Sequence, residues 1–185
     1  MPAVATPKII PPKHDLYLEH AADYVARRDP AIVNIARCQY LAIDGSGAPG
    51  GLEFEASWHV LHRLALTLKH PGYHHTVPRL ECLLPDTLTW TLLVRTPDFI
   101  TREDLAVSHA VQAVRLLPLT EGWCVQALHD GNLYDVPATL DKMRECAALA
   151  GTEFYGTLHE IYLDEPHGHA PRHRRTILRQ PLRDC

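Results

Sequence analysis

Two acids interrupt stretches that otherwise read as buried strands. Glu81 lies in Leu80-Glu81-Cys82-Leu83-Leu84, and Glu160 in His159-Glu160-Ile161-Tyr162-Leu163. Side chains alternate along a strand, so Glu160 and Tyr162 point one way and His159 and Ile161 the other. A carboxylate placed like this is either solvated on an open face or turned into a pocket. In a pocket, burial raises its pKa and suits it to general acid–base work near neutral pH. Trp58, Trp90, Trp123, Tyr134, Tyr155 and Tyr162 are the aromatic groups able to wall a site for a flat ligand. Trp58 sits on an apolar helical stripe and Trp90 opens an apolar strand, while Trp123 and Tyr155 border turns. Tyr162 shares the face of Glu160 and is the foremost aromatic candidate. His159 reads as a structural histidine directed toward the helix side.

The other chemistry-bearing residues make no motif. Five cysteines (38, 82, 124, 146 and 185) are far apart, with no CxxC pair. That argues against structural zinc and against a disulfide framework, and suits a reducing cytoplasm. Thirteen histidines fall at scattered positions, without HExxH spacing, so neither a metal nor another cofactor is expected. The formal net charge of −4 disfavours direct nucleic-acid binding, although the run from Arg172 to Arg183 is locally basic. The first fifteen residues hold four prolines and no apolar core of a signal peptide. No apolar run reaches the ~20 residues of a membrane span. A soluble, cytoplasmic protein is expected, as a monomer or homodimer.

The elements that must position the two acids repeat. After an extended lead-in (1–15) and a short helical stretch around Leu16 to Val25, an alternating strand ends at Asp44-Gly45. Phe54, Trp58, Leu61, Ala65 and Leu68 then recur at i, i+4, i+7, i+11 and i+14, one face of a helix. Two strands follow, around Glu81 and around Trp90. A helix from Thr101 to Pro118, opened by a Thr101/Asp104 capping box, links this half to the next. The order then restarts with a strand ending at Asp130-Gly131. A helix follows, with Pro137 near its start and Gly151 at its end, and then two more strands. Strand–helix–strand–strand thus occurs twice in one domain spanning 1–185. The expected fold is α+β: two pseudo-symmetric repeats forming a curved, antiparallel-rich sheet, with helices on one face and a ligand groove on the other. Glu81 and Glu160, each in the strand after its helix, are expected to confront one another across that groove.

These stretches taken in order, from "YLAIDGSGAPG" and "WTLLVRTPDFIT" to "CVQALHDGNLYDVPAT", "LHEIYLDEP" and "RTILRQPL", carry a family resemblance. The chain resembles the GyrI-like small-molecule-binding family from about Leu16 to Leu182. Within that family it is most similar to the cyclopropanoid cyclopropyl hydrolases. The resemblance implies hydrolysis of the strained spirocyclopropane of DNA-alkylating natural products such as yatakemycin, by groove carboxylates within an aromatic cage. It places Glu81, Glu160 and Tyr134 at the catalytic positions. It also puts Leu84-Pro85 where the subgroup carries two tryptophans, so two cage walls are replaced. The larger family includes effector domains fused to DNA-binding helices. The fifteen residues ahead of Leu16 are too few for a helix-turn-helix, so a transcription factor is not expected.

Opening such a ring requires a held aromatic ligand, a hydrogen bond on the dienone oxygen, and a carboxylate that positions or deprotonates water. Glu160 is expected as the base, with Glu81 or a tyrosine hydroxyl assisting the carbonyl. Tyr162, Tyr155, Trp123, Trp90, Trp58 and Leu84 are expected to bind the ligand. The partner is then a hydrophobic aromatic small molecule, and the role is detoxification or antibiotic self-resistance. Two other readings stand beside it: sequestration of a hydrophobic drug without chemistry, and an interaction protein that modulates DNA gyrase.

Overall fold

A computed structural model describes residues 16–68, 79–106, 113–132, 135–164 and 174–183. Eight strands form one antiparallel sheet: β1 (Ala31–Ile35), β2 (Cys38–Ser46), β3 (Glu81–Leu84), β4 (Thr89–Thr96), β5 (Arg115–Leu119), β6 (Gly122–Gly131), β7 (Leu158–Tyr162) and β8 (Arg174–Pro181). Their spatial order is β1-β6-β8-β7-β3-β4-β2-β5. The strands of one half lie on one side of the β3–β7 pair and those of the other half on the other. The fold is therefore α+β with a curved antiparallel sheet, the class expected from the repeat.

The two edge strands were not legible as strands. β1 follows Pro30, and β5 contains Pro118 within a segment whose pattern reads as helix. The linking helix in fact ends its described part as α3 (Arg102–Ala106), and Arg115–Leu119 pairs with β2. Proline is tolerated in β5 because the strand lies at the sheet edge. The Thr101/Asp104 cap is present, with Asp104 accepting from the Thr101 amide at 2.8 Å and from its hydroxyl at 2.9 Å.

These edge strands curl the sheet. β1 lies six strand spacings from β2, roughly 29 Å if flat, yet only Ala36 and Arg37 join them. Three Cα steps reach about 11 Å at most. The edges must therefore approach each other, and one face becomes concave. Cys124 of β6 and Tyr40 of β2, five strands apart in the sheet, meet in one apolar cluster on that face.

The other face carries two helices. α2 (Leu52–Thr67) packs over β2 and β4, and α4 (Val136–Leu149) over β6 and β1. Phe54, Trp58, Leu61 and Ala65 of the α2 stripe, with Leu68 just beyond its end, are all buried against Leu41, Trp90 and Leu92. Met143 and Ala147 of α4 are buried against Val125, Ala127 and Leu178. β3 and β7 lie between the helix-covered strands, in the middle of the sheet.

A third layer comes from the N-terminus. α1 (Leu16–Glu19) and a 3-10 turn (Ala21–Tyr24) lie against the concave face as a strap. Among the described residues no helix is long and apolar enough to cross a membrane.

Candidate active site

Strand register decides which side chains meet. Cys82 stands opposite Glu160 and Glu81 opposite Ile161 in the β3–β7 ladder. Directly paired residues share a face, so Glu160 points with Cys82, Leu84, Leu158 and Tyr162, whereas Glu81 points with Leu83, His159 and Ile161. The two acids are on opposite faces of the sheet. The confrontation expected from the repeat is not formed, because their positions differ by one residue in register, and one residue reverses a strand side chain. The duplication also hinted at this: Glu81 lies 36 residues after Gly45, but Glu160 only 29 after Gly131.

Glu160 lies on the helix-bearing face of the sheet, between the strands that α2 and α4 cover, and is buried. Leu178 flanks it on β8 and Cys82 on β3, and both are fully buried. Tyr162 Oη donates to Glu160 Oε2 at 2.8 Å. Desolvation raises the Glu160 pKa above the ordinary carboxylate value. The Tyr162 hydrogen bond and the more distant His129 oppose that rise without cancelling it. Burial first, then the Glu160 charge, raises the Tyr162 phenol well above its usual value, so it stays protonated as a donor. The Cys82 thiol is pushed up by the same two causes and stays neutral.

The next row across the sheet is Tyr162, Thr176 and His129. His129 is held between Thr139 Oγ1 of α4 (2.9 Å at Nδ1) and the Asn132 carbonyl (2.9 Å at Nε2). A carbonyl only accepts, so Nε2 carries a proton. Tyr162 belongs to the same cluster as Phe54, Trp58 and Trp90, and Leu84 packs against that cluster. Five of the expected site residues, Glu160, Tyr162, Trp58, Trp90 and Leu84, thus share the helix-bearing face. Trp58 and Trp90 are core side chains there: Trp90 is 1% exposed and packs edge-on to Phe54 at 5.3 Å. Trp123 and Tyr155 are more than half exposed, with Arg183 over the Tyr155 ring. Tyr134 lies outside the described residues.

The concave face holds a different assembly. Glu81 Oε1 accepts from Tyr24 Oη of the strap at 2.9 Å, and its Oε2 lies 3.0 Å from His159 Nε2. The second contact pairs the carboxylate with the imidazole as an ion contact. His159 Nδ1 meets Glu121 Oε1 at 3.0 Å, and Arg179 Nη1 donates to Glu121 Oε2 at 2.9 Å. Arg179 Nε donates to Gln126 at 2.7 Å, and its Nη2 to the Asp23 carbonyl. Arg95 donates to the Asp23 carboxylate at 2.8 Å.

Charge overrides burial here. Desolvation works against the His159 proton, but Glu121 and Glu81 outweigh it and hold the imidazolium up to about 9. Desolvation would raise Glu121, but His159 and Arg179 bring it down to about 2. His159 is therefore a charged residue of the concave network, not a histidine directed at the helices. Every acid of this network has a cation or a phenol beside it. Arg95 and Arg179 could have been singled out by the signal that flagged Glu81, a charge interrupting an apolar strand. Their partners on the strap and in the β5–β6 turn had no such signal.

Neither the family models nor the curated proteins searched give a match for this chain. Solved structures do. A hydrolase encoded by lin2189 from Listeria innocua superimposes with a TM-score of 0.84 at 28% identity, over 93% of this chain and 100% of that one. A second structure, of a hydrolase from Listeria innocua, gives 0.82 at 27%, over 91% and 99%. The EcmrR C-terminal domain gives 0.61 at 12% identity, over 84% and 98%, a likeness of fold.

Proposed function

We propose that this protein is a hydrolase that takes a hydrophobic aromatic small molecule between α2 and α4, against Glu160. Its reaction is opening of the strained cyclopropane of a spirocyclopropyl alkylating natural product. The observation that carries the reading is Glu160, a carboxylate flanked by Leu178 and Cys82, hydrogen-bonded by Tyr162, with its pKa raised by desolvation. Structural integrity does not require an acid at such a site, and general-base chemistry does. The likeness to two solved structures described as a hydrolase from Listeria innocua, across nearly the whole chain, supports a hydrolytic role.

In this mechanism Glu160 orients a water toward the cyclopropane methylene and takes its proton as the carbon–oxygen bond forms. The cyclopropane bond breaks, and its electron pair flows into the dienone, which becomes a phenolate. Protonation gives the phenol, so the product is substrate plus one water. Tyr162 holds the carboxylate, and Tyr134 supplies the hydrogen bond to the dienone oxygen. Glu81 has no part in this step, being on the other face and engaged with Tyr24 and His159. Acid–base assistance is worth ~10²–10⁴-fold, which suffices for a ring already activated by strain. The role is detoxification in the cytoplasm, before the alkylator reaches DNA.

The test is incubation with a yatakemycin-type substrate and mass spectrometry. An 18 Da gain with the natural protein, lost in Glu160→Gln, supports hydrolysis. Tight binding of an unchanged ligand supports the second reading, sequestration, in which Glu160 serves as a buried countercharge for a cation.

A further inference from the structure

Polar contacts hold the strap to the concave face. Of its two four-residue turns only Leu16 is buried. Helical turns this short do not persist alone, so the sheet must hold them. Tyr24 Oη donates to Glu81 at 2.9 Å, the Asp23 carboxylate pairs with Arg95 at 2.8 Å, and the Asp23 carbonyl accepts from Arg179. Tyr17 Oη accepts from the Arg79 amide at 2.7 Å. Arg79 and Arg95 also lie over the Tyr17 and Tyr24 rings, at 5.2 and 5.7 Å. Under the first turn the fit is open: a cavity of about 190 Å³ lies between Leu16, Glu19 and His20 of the strap and Cys38 and Arg95 of the sheet. At ~30 Å³ per water that is room for about six waters. After Tyr24 the attachment changes character. Val25 is extended and 63% exposed, with its carbonyl on Gln126 Nε2 at 3.0 Å. The Arg27 carbonyl then accepts from the Leu128 amide at 2.7 Å, and Arg28 pairs with Asp130 at 2.6 Å, both on β6. From Arg27 onward the chain is tied to the sheet by its backbone; before Val25 mainly side chains tie it.

We infer that residues 16–24 are a gate, hinged between Tyr24 and Arg27, that swings off the concave face as a unit and exposes Glu81, Arg95 and Cys38 while the sheet stays folded. Lifting it buries no new surface and breaks no strand pairing, so it is an opening of low cost compared with unfolding. The contacts it breaks are few and charged, and water replaces them on the freed groups. Glu81 keeps His159, and Arg179 keeps Glu121 and Gln126. Arg95 gives up both Asp23 and Tyr24, and its charge draws the strap back. The strap contacts lie on the opposite face from Glu160, so the gate does not rest on the hydrolase reading.

Two buried thiols report on the gate. Cys38 is 3% exposed on the concave face beneath the strap, and Cys82 is fully buried on the helix-bearing face. The intact protein is treated with N-ethylmaleimide, an uncharged thiol reagent, under native conditions, and mass spectrometry of peptides follows each cysteine. When reclosing is fast, the labelling rate tracks the fraction of open molecules. Cys38 is expected to react at least about tenfold faster than Cys82, the ratio for openings that differ by 1.4 kcal/mol. Tyr24→Phe keeps the ring under Arg95 but removes the hydrogen bond to Glu81. It should speed Cys38 about tenfold, the value of one hydrogen bond to a charged group, and leave Cys82 unchanged. Equal rates at the two thiols in the natural protein would show that the strap leaves only when the whole fold does, and would overturn the inference. So would a Cys38 rate unmoved by Tyr24→Phe, or an equal acceleration of both thiols.

Discussion

At the scale of single residues, Glu160 is the side chain whose placement works against stability. Its folded pKa is raised, so its contribution to stability is complete below the ordinary carboxylate range and is lost as pH rises through the folded pKa. Once ionised, the buried carboxylate therefore weakens the fold. Glu160→Gln keeps the shape and an acceptor for Tyr162, and should raise the melting temperature at pH 7 while abolishing hydrolysis, a trade expected of a functional group. A lower melting temperature would mark Glu160 as structural. Tyr162→Phe removes the hydrogen bond that favours the charged form. The limb of the pH–rate profile on which activity rises with pH should then move to higher pH. An unmoved limb would show that Glu160 is not the titrating base. The residues themselves announced this pair, since a carboxylate and a phenol two apart on a strand share a face. The second acid was misjudged because a strand of four or five residues gives no internal check on which face is which.

At the scale of elements, the sequence pattern located α2, α4 and six of the eight strands, because their apolar positions repeat at the helix or strand period. It misread how one strand ends. Asp130-Gly131 closes β6 as expected, whereas Asp44-Gly45 looks like a stop, yet β2 runs to Ser46. Gly45 is needed for contact, not for a turn: a Cβ there would lie 2.0 Å from Cη2 of Trp90. The Trp90 ring is backed by Phe54 of α2 and has little room to retreat. Gly45→Ala should therefore destabilise by about 3 kcal/mol, the upper part of the range for overpacking, measured by denaturant unfolding. A loss below about 0.5 kcal/mol would mean that the indole moves freely. β1 and β5 escaped notice because edge strands are short, half-exposed and tolerant of proline. They hold their place through partners far away in the chain.

At the scale of the whole molecule, the curl brings β7, β8 and the β5–β6 turn around one buried ion network, and the strap covers it. Removing one partner from a buried pair costs ~3–5 kcal/mol, so the network ties folding to pH. Glu121, lowered to about 2, contributes stability that is present above the ordinary carboxylate value of 4.5 and lost as pH falls through the folded value. His159, raised to about 9, contributes stability that is complete below 6.5 and lost as pH rises through the folded value. Unfolding free energy should thus be greatest between about pH 5 and 6.5 and decline on both sides. Glu121→Gln should be less stable overall and lose much of the acid limb; an acid limb of unchanged depth would show that other carboxylates govern it.

The sequence by itself determined the doubled strand–helix–strand–strand order, the apolar faces of both helices, and the pairing of Glu160 with Tyr162. All of these are carried by residues near one another in the chain, where the periods of helix and strand operate. The tertiary structure alone decided that Glu81 and Glu160 face opposite ways, that His159 is a charged member of the concave network, and that the chain's own N-terminal strap fills that face. Each depends on strand register and sheet curl, which are fixed by contacts between residues tens of positions apart, and a shift of one residue reverses the outcome.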